Sequence, residues 1–323
     1  MNAHGEWMVL DPASRNWLAS RFKGNVSFNE PMSKHTYFRV GGPADAYVAP
    51  ESIEDLIALV NRLRQRRIPC RVIGDGSNLL VKDCGIRGVV IVLTKCLNKI
   101  TQTAAGDGDV VVDAMAGVRM RTLCDFSIAR GLEGMNFALG IPGTVGGAIM
   151  MNAGTFYGSV ENVLDSIKVL TPTGQTENIG KEKLVFGYRK LSWNNEKNDA
   201  DSVQAVIMEG RFSLRLSDPE KLKREAEAIL EKRRKTQPVD FPSAGCFFKN
   251  PASGKTAGEL IELAGLKGRK IGGAEISTKH ANFIINQGNA SSADILALME
   301  LVQDTVSKAF GVKLETEVKI VGQ

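Results

Sequence analysis

The residues best suited to chemistry are concentrated in Pro242-Ser243-Ala244-Gly245-Cys246-Phe247-Phe248-Lys249-Asn250-Pro251. One thiol follows a glycine turn and precedes an aromatic pair, with Lys249 and Asn250 close behind. A thiol held this way can release a proton at a defined point, and the amide can orient its acceptor. Arg189, after Gly187 and Tyr188, is a fixed cation whose planar fork suits a carboxylate or an enolate oxygen. The commoner role for an arginine is a solvated surface charge. The run Lys232-Arg233-Arg234-Lys235 either offsets a helix dipole or clamps a diphosphate. Taken alone, His280 reads as a polar strand-edge residue and Glu317 as the polar side of an edge strand.

Two glycine-rich loops lie upstream. Gly74-Asp75-Gly76-Ser77-Asn78-Leu79-Leu80-Val81 resembles a dinucleotide fingerprint but has Leu79 where the third glycine belongs, and strand-like residues follow it. Such a loop either turns a hairpin or presents backbone N–H groups to a diphosphate. Gly140-Ile141-Pro142-Gly143-Thr144-Val145-Gly146-Gly147-Ala148 carries four glycines and a proline. That density implies close backbone approach, either to a flat or charged ligand or between packed elements. Gly254-Lys255-Thr256 mimics the end of a phosphate-binding loop, but Lys249 stands where its first glycine is required, so a P-loop ATPase is excluded.

Positioning these residues takes a substantial scaffold. The 323 residues, 43% hydrophobic, predict two domains, and the boundary is placed between Leu214 and Pro219. Ser52 and Asp55 open a helix with Ile53, Leu56, Ile57, Val60 and Leu63 on its apolar face, stopped by Pro69. Strands are predicted at Cys70–Ile73, Val89–Leu93, Val110–Asp113, Ile167–Leu170 and Val203–Glu209. Gly131 ends a helix that begins near Arg119. Asp218 and Pro219 start another that runs to about Arg234. Further helices are expected around Ala257–Ala264 and from Ser292 to Phe310, with a strand around Asn282–Ile285. In the final strand Leu314, Thr316, Val318 and Ile320 share one face and Glu315, Glu317 and Lys319 the other.

Composition narrows the classes. A formal net charge of +5 suits anionic small ligands and is too mild to imply nucleic acid. Five cysteines without CxxC spacing and three histidines without a paired spacing argue against a disulfide framework or a metal site. Neither a signal-like N-terminal run nor an 18-residue apolar stretch occurs, so a cytoplasmic protein is expected, without membrane or nucleic-acid partners.

The ordered series Thr36-Tyr37-Phe38-Arg39-Val40-Gly41-Gly42, Gly74–Asn78, Gly140–Gly147, Gly187–Arg189, Ser243–Pro251 and Glu315–Val318 closely resembles the UDP-N-acetylenolpyruvoylglucosamine reductase (MurB) family of bacterial flavoenzymes. The resemblance spans about Ser33 to Gly322. It implies an α+β fold: an FAD-binding region of the vanillyl-alcohol-oxidase (PCMH) type in two α+β subdomains, 33–216, after an N-terminal extension, 1–32. A C-terminal α+β substrate-binding domain, 217–323, follows. It also implies reduction of UDP-N-acetylglucosamine enolpyruvate to UDP-N-acetylmuramate for peptidoglycan, with non-covalent FAD, NADPH as co-substrate, and a monomer in the bacterial cytoplasm. The hydride travels through flavin N5 to C3 of the enolpyruvyl group.

By resemblance, Arg189, Cys246 and Glu317 are the catalytic trio, Cys246 protonating C2, Arg189 stabilising the enolate and Glu317 orienting or polarising the carboxylate. Gly74, Asp75, Gly76, Ser77, Asn78 and Leu79, with Gly140, Ile141, Pro142, Gly143, Thr144, Gly146, Gly147 and Ala148, hold the cofactor. Tyr188, Arg234, Lys235, Lys249, Asn250 and His280 contact the substrate. Many members carry serine where this chain has Cys246; a thiol is the stronger acid and adds sensitivity to oxidation. The short span from Arg189 to Arg234 implies the subtype without a tyrosine-bearing insertion. Competing readings are another flavin-dependent sugar or hydroxy-acid oxidoreductase and a non-catalytic nucleotide-binding module. A Cys246–His280 hydrolase is a third, but it lacks an orienting partner and a nucleophile elbow.

Overall fold

A computed structural model describes residues 10–106, 108–193, 205–252 and 254–323. They form two compact units. The first holds the described residues up to Phe28 together with Asp45–Gly74 and Arg87–Leu230; the second holds Asn29–Ala44, Asp75–Ile86 and Glu231–Gln323.

This grouping runs differently from the expected contiguous segments, and glycine packing explains it. A Cβ on Gly76 would lie 2.0 Å from the His35 carbonyl oxygen, and one on Gly85 only 1.9 Å from that of Pro43. The segments 29–44 and 75–86 therefore press backbone against backbone. Leu79–Val81 then pairs in parallel with Lys319–Val321. Both segments are thereby stitched to the C-terminal chain, a pairing between residues too far apart in sequence for any local signal to report.

In the first unit, a four-stranded sheet runs in the order Gly24–Pro31, Pro43–Pro50, Ile86–Val92, Cys70–Ile73. The helix Ile53–Gln65 buries Leu56, Leu59, Val60 and Leu63, and Ser52 caps it, accepting from the Asp55 N–H at 3.1 Å. Leu59 was missing from the expected face; Ile53 and Ile57 pack at its margin. A second, antiparallel sheet runs Thr176–Gly180, Leu164–Leu170, Val206–Leu216, Asp109–Met115, Ile100–Gly106. Its strand Val206–Leu216 starts later than the expected Val203, which lies outside the described residues. One core cluster joins side chains of both sheets. The class is α+β, as expected.

The second unit has a three-stranded antiparallel sheet, Lys270–Ile271, Ala274–Ile276 and Ile284–Asn286, with helices Ala257–Leu263 and Ser292–Phe310. Gly311 closes the longer helix in the left-handed region, at φ 69°. Phe38, Leu80, Phe247, Phe248, Leu298, Val302 and Val318 fill its core. The aromatic pair after Cys246 thus anchors that segment by burial.

Asn286, only 4% exposed, donates from Nδ2 to the Phe38 carbonyl at 2.9 Å and accepts from the N–H groups of Gly288 and Ala290. Asn286→Ala would leave the buried Phe38 carbonyl unpaired and release the half-buried Ala290 N–H and the Gly288 N–H, so a loss of about 2 kcal/mol is expected. Urea denaturation measures it, and an unchanged midpoint would show that the contacts are dispensable.

Candidate functional site

In the first unit, Gly74 of the first glycine loop meets the second loop at Thr144. Thr144 forms an isolated bridge with Arg119, flanked by hydrogen bonds from the Met120 N–H to the Gly143 carbonyl and from the Val145 N–H to the Val118 carbonyl. Gly74, at the end of the strand Cys70–Ile73, lies against it: a Cβ there would sit 2.5 Å from Thr144 Oγ1. The expected loop Gly140–Ala148 is only half a loop, because Val145–Met150 is a short helix capped by Thr144. Gly146 allows that helix to approach Ala116, whose Cβ would be 2.9 Å from an added one. On the other side, Gly140, Pro142 and Gly147 are exposed. A Cβ on Gly147 would meet only Thr144 Oγ1, at 3.6 Å. The loop therefore offers bare backbone over open space, as a flat or phosphate-bearing ligand requires.

Arg189 occupies the two-residue turn between Leu184–Gly187 and Lys190–Trp193. Its φ is +58°, a region where glycine is usual. Its Nη1 donates to the Gly154 carbonyl at 3.0 Å, and its guanidinium carbon lies 5.1 Å from the centre of the Tyr188 ring. Arg189 is thus held in a strained backbone conformation and tied at its tip.

In the second unit, the Cys246 segment and the Glu317 segment lie side by side. Gly245, at φ +79°, turns the chain into half-buried Cys246, and a Cβ on Gly245 would touch nothing within 4 Å. Phe248 bridges Thr316; the Glu317 N–H donates to the Phe247 carbonyl at 2.8 Å, and the Lys249 N–H to that of Glu315 at 2.8 Å. The expected final strand is shorter than predicted, Lys319–Val321, with Thr316 in an isolated bridge before it, but the burial alternation holds, with Leu314 and Val318 buried and Glu315 exposed. Asn78 Nδ2 donates to the Glu317 carbonyl at 3.2 Å, and Gly76, at φ +65°, accepts from the Tyr37 N–H. The unit thus brings the Asn78 amide to the backbone that joins the residues after Cys246 to the Glu317 segment.

Two family models match the chain: an FAD binding domain over residues 44–180, and the UDP-N-acetylenolpyruvoylglucosamine reductase C-terminal domain over 237–321. A UDP-N-acetylenolpyruvoylglucosamine reductase from Desulfosudis oleivorans is 46% identical over 314 residues, 97% of this chain and all of that one. The chain belongs to the UDP-N-acetylenolpyruvoylglucosamine reductase family. A Clostridium tetani reductase is 44% identical over 93% of each chain. The crystal structure of the family member from Thermus caldophilus aligns with a TM-score of 0.74 at 33% identity, covering 93% of this chain and 99% of its own. The matched C-terminal domain contains Cys246 and Glu317; Arg189 falls outside both matched segments.

The other residues expected in a reductase site have partners within the chain. Asn250 Oδ1 accepts from the Ala257 N–H at 3.1 Å, so it caps a helix. Lys249 Nζ lies 3.1 Å from Glu315 Oε2. Lys235 pairs with Glu231 at 2.6 Å, and the Arg234 carbonyl accepts from Lys279 Nζ. Arg233, which sequence reasoning passed over, is the half-buried member of the basic run. Burial pulls its guanidinium below the ordinary value, and the neighbouring Cys246 sulfur opposes that shift. Helical phase in the last turn of Pro219–Thr236 was the signal available for separating it from Arg234. A polar cleft lined by Asp113, Ser166, Lys168, Asn178, Glu209 and Arg211 contains no expected site residue, and Arg211 pairs there with Asp113 at 2.8 Å. Among the described residues no cluster suited to a metal ion occurs.

His280 Nδ1 accepts from the Asn282 N–H at 3.3 Å, which leaves the proton of the neutral ring on Nε2. Asn282 in turn holds Phe248 through two bonds, from the Phe248 N–H at 2.9 Å and to its carbonyl at 2.8 Å. Burial lowers the His280 pKa from 6.5. The unfolded chain takes up that proton first as pH falls, so the stability contributed by neutral His280 is complete above about 6.5 and is lost below it, towards the depressed folded value. The melting temperature should therefore fall between pH 7 and 5.5, and less steeply in His280→Asn, which keeps the acceptor without titrating. Equal slopes in differential scanning calorimetry would remove His280 from the pH response.

Proposed function

We propose that this chain reduces UDP-N-acetylglucosamine enolpyruvate to UDP-N-acetylmuramate, with FAD bound and NADPH as co-substrate, in peptidoglycan precursor synthesis. Full-length similarity to reductases of this name carries the reading. The first unit's glycine loop suits the cofactor, because Gly140 and Gly147 are exposed and a Cβ on Gly147 would meet only Thr144 Oγ1, at 3.6 Å. Gly74–Leu79, Gly140–Thr144, Gly146, Gly147 and Ala148 are the proposed FAD contacts. Bound flavin supplies the hydride, taken from NADPH and passed to C3 of the enolpyruvyl group.

The chain's own residues manage charge and proton. As C3 gains its hydrogen, negative charge spreads from C2 onto the carboxylate, where the fixed guanidinium of Arg189 stabilises it. Glu317 orients that carboxylate. Cys246 then delivers its proton to C2. Burial pushes the thiols of Cys70 and Cys96 up to about 11 and that of Cys124 up to about 12, which leaves those three as inert packing groups. Tyr188, Arg234, Lys235, Lys249, Asn250 and His280 are the proposed substrate contacts, with half-buried Arg233 added to the basic group. The protein is further proposed to be a cytoplasmic monomer of the shorter subtype, without a tyrosine-bearing insertion. Residues 194–204 of the relevant span lie outside the described ones. Among the described residues no helix is long and apolar enough to cross a membrane.

Purified protein should be yellow, bleach anaerobically with NADPH, and regain colour when the enolpyruvyl sugar nucleotide is added. Bleaching without recovery would point to a different oxidoreductase, and colourless protein unable to take up FAD would sink the flavoenzyme reading. Cys246→Ser should keep appreciable turnover while Cys246→Ala stalls at the bleached stage; normal turnover by the alanine variant would remove the thiol from the reaction. Arg189→Gly should relieve strained backbone worth about 1 kcal/mol. Its melting temperature should thus be preserved or raised while turnover falls on the order of a hundredfold. A variant that is both destabilised and active would contradict the assignment.

A further inference from the structure

Asn152 is a buried polar side chain that the proposed reaction leaves without a role. It is 7% exposed and holds a left-handed backbone, φ +38°, two residues beyond the helix Val145–Met150 that continues the glycine loop. Its Nδ2 donates to the Gly187 carbonyl at 3.3 Å and to Glu161 Oε2 at 3.4 Å, and its Oδ1 accepts from the Glu161 N–H at 3.0 Å. Both ends of the amide are therefore engaged. Gly187 is the last strand residue before the Tyr188–Arg189 turn. Two residues after Asn152, the Gly154 carbonyl accepts from Arg189 Nη1.

The short segment Asn152–Gly154 thus grips the arginine turn twice, at its base through the Asn152 amide and at its tip through a main-chain oxygen. Arg189 and Asn152 are both non-glycine residues with left-handed φ, so two strained corners are braced against each other. A guanidinium that stabilises developing charge must be held within a fraction of an ångström of its working position. We propose that Asn152 is the positioning residue for Arg189, coupling the seat of the glycine loop to the cation that stabilises the enolate. This rests on the assignment of Arg189 made above. Asn152 itself touches no reacting atom; it acts through the Gly187 carbonyl and the chain leading to Gly154.

The test uses holoenzyme carrying Asn152→Gly, which tolerates the left-handed backbone and deletes the amide, beside Arg189→Lys and the double variant. Stopped-flow absorbance follows bleaching by NADPH and recovery with the enolpyruvyl sugar nucleotide separately. Asn152→Gly should bind FAD and bleach normally, but recover on the order of ten- to a hundredfold more slowly. In the Arg189→Lys background it should add little further loss, because the two act as a unit. Amide hydrogen exchange of residues 184–193 should quicken in Asn152→Gly. Slow recovery in Arg189→Lys together with normal recovery in Asn152→Gly would overturn the positioning role and leave the arginine assignment standing, as would losses that multiply in the double variant. Normal recovery in Arg189→Lys would overturn both. If Asn152→Gly does not fold, Asn152→Asp serves, since it keeps the acceptor for the Glu161 N–H and loses the donors to Gly187 and to Glu161 Oε2; normal recovery there would equally defeat the proposal.

Discussion

The second unit depends on one run of backbone pairing, from Glu315 to Val321. Its first half binds the Cys246 segment, through the Glu317 N–H to Phe247 and the Lys249 N–H to Glu315. Its second half pairs in parallel with Leu79–Val81. Main-chain hydrogen bonds are obligatory once the flanking side chains are buried, so Leu314, Val318, Phe247 and Phe248 leave these groups no alternative partners. The Asn78 amide is brought to this backbone as a consequence. Strand pairing thus sets the backbone of the Glu317 segment beside that of the residues following Cys246.

Buried asparagines recur as the devices that set loops on this scaffold. Asn282 holds Phe248 at both backbone groups, Asn286 holds the Phe38 carbonyl, and Asn152 holds Gly187. A primary amide offers donors and an acceptor on one rigid plane, so a single side chain can satisfy both polarities of an irregular backbone. Leaving such groups unpaired inside a core costs more than the bonds themselves return, which makes each amide hard to replace. His280 belongs to the same logic: its imidazole, kept neutral by burial, accepts from the Asn282 N–H and serves the scaffold behind the thiol segment.

The glycines divide into two kinds by what surrounds them. Gly76, Gly85 and Gly146 are needed because backbone or side chain already occupies the place of a Cβ, whereas Gly147 and Gly245 face open space. The first kind closes the fold and the second leaves room beside candidate ligand and proton-donor groups. Glycine count alone cannot separate these kinds, which is why the loop Gly140–Ala148 supported both a packing and a ligand reading until its neighbours were known.

Much of this was legible from residues acting on their near neighbours. The Ser52 cap, the Asp218–Pro219 start and the Gly311 stop each depend on hydrogen bonds spanning one helical turn, and all stand where the sequence put them. The ordered motifs likewise named the family and the residue types its chemistry needs. Tertiary structure alone decided that Asn78 meets Glu317 across 239 residues, that segments 29–44 and 75–86 join the C-terminal unit, and that Arg233 is half-buried near the thiol while Arg234 is exposed. Those outcomes turn on which apolar faces bury together and which backbone groups they shut away from water. That is a property of the whole chain, and no window of neighbouring residues contains it.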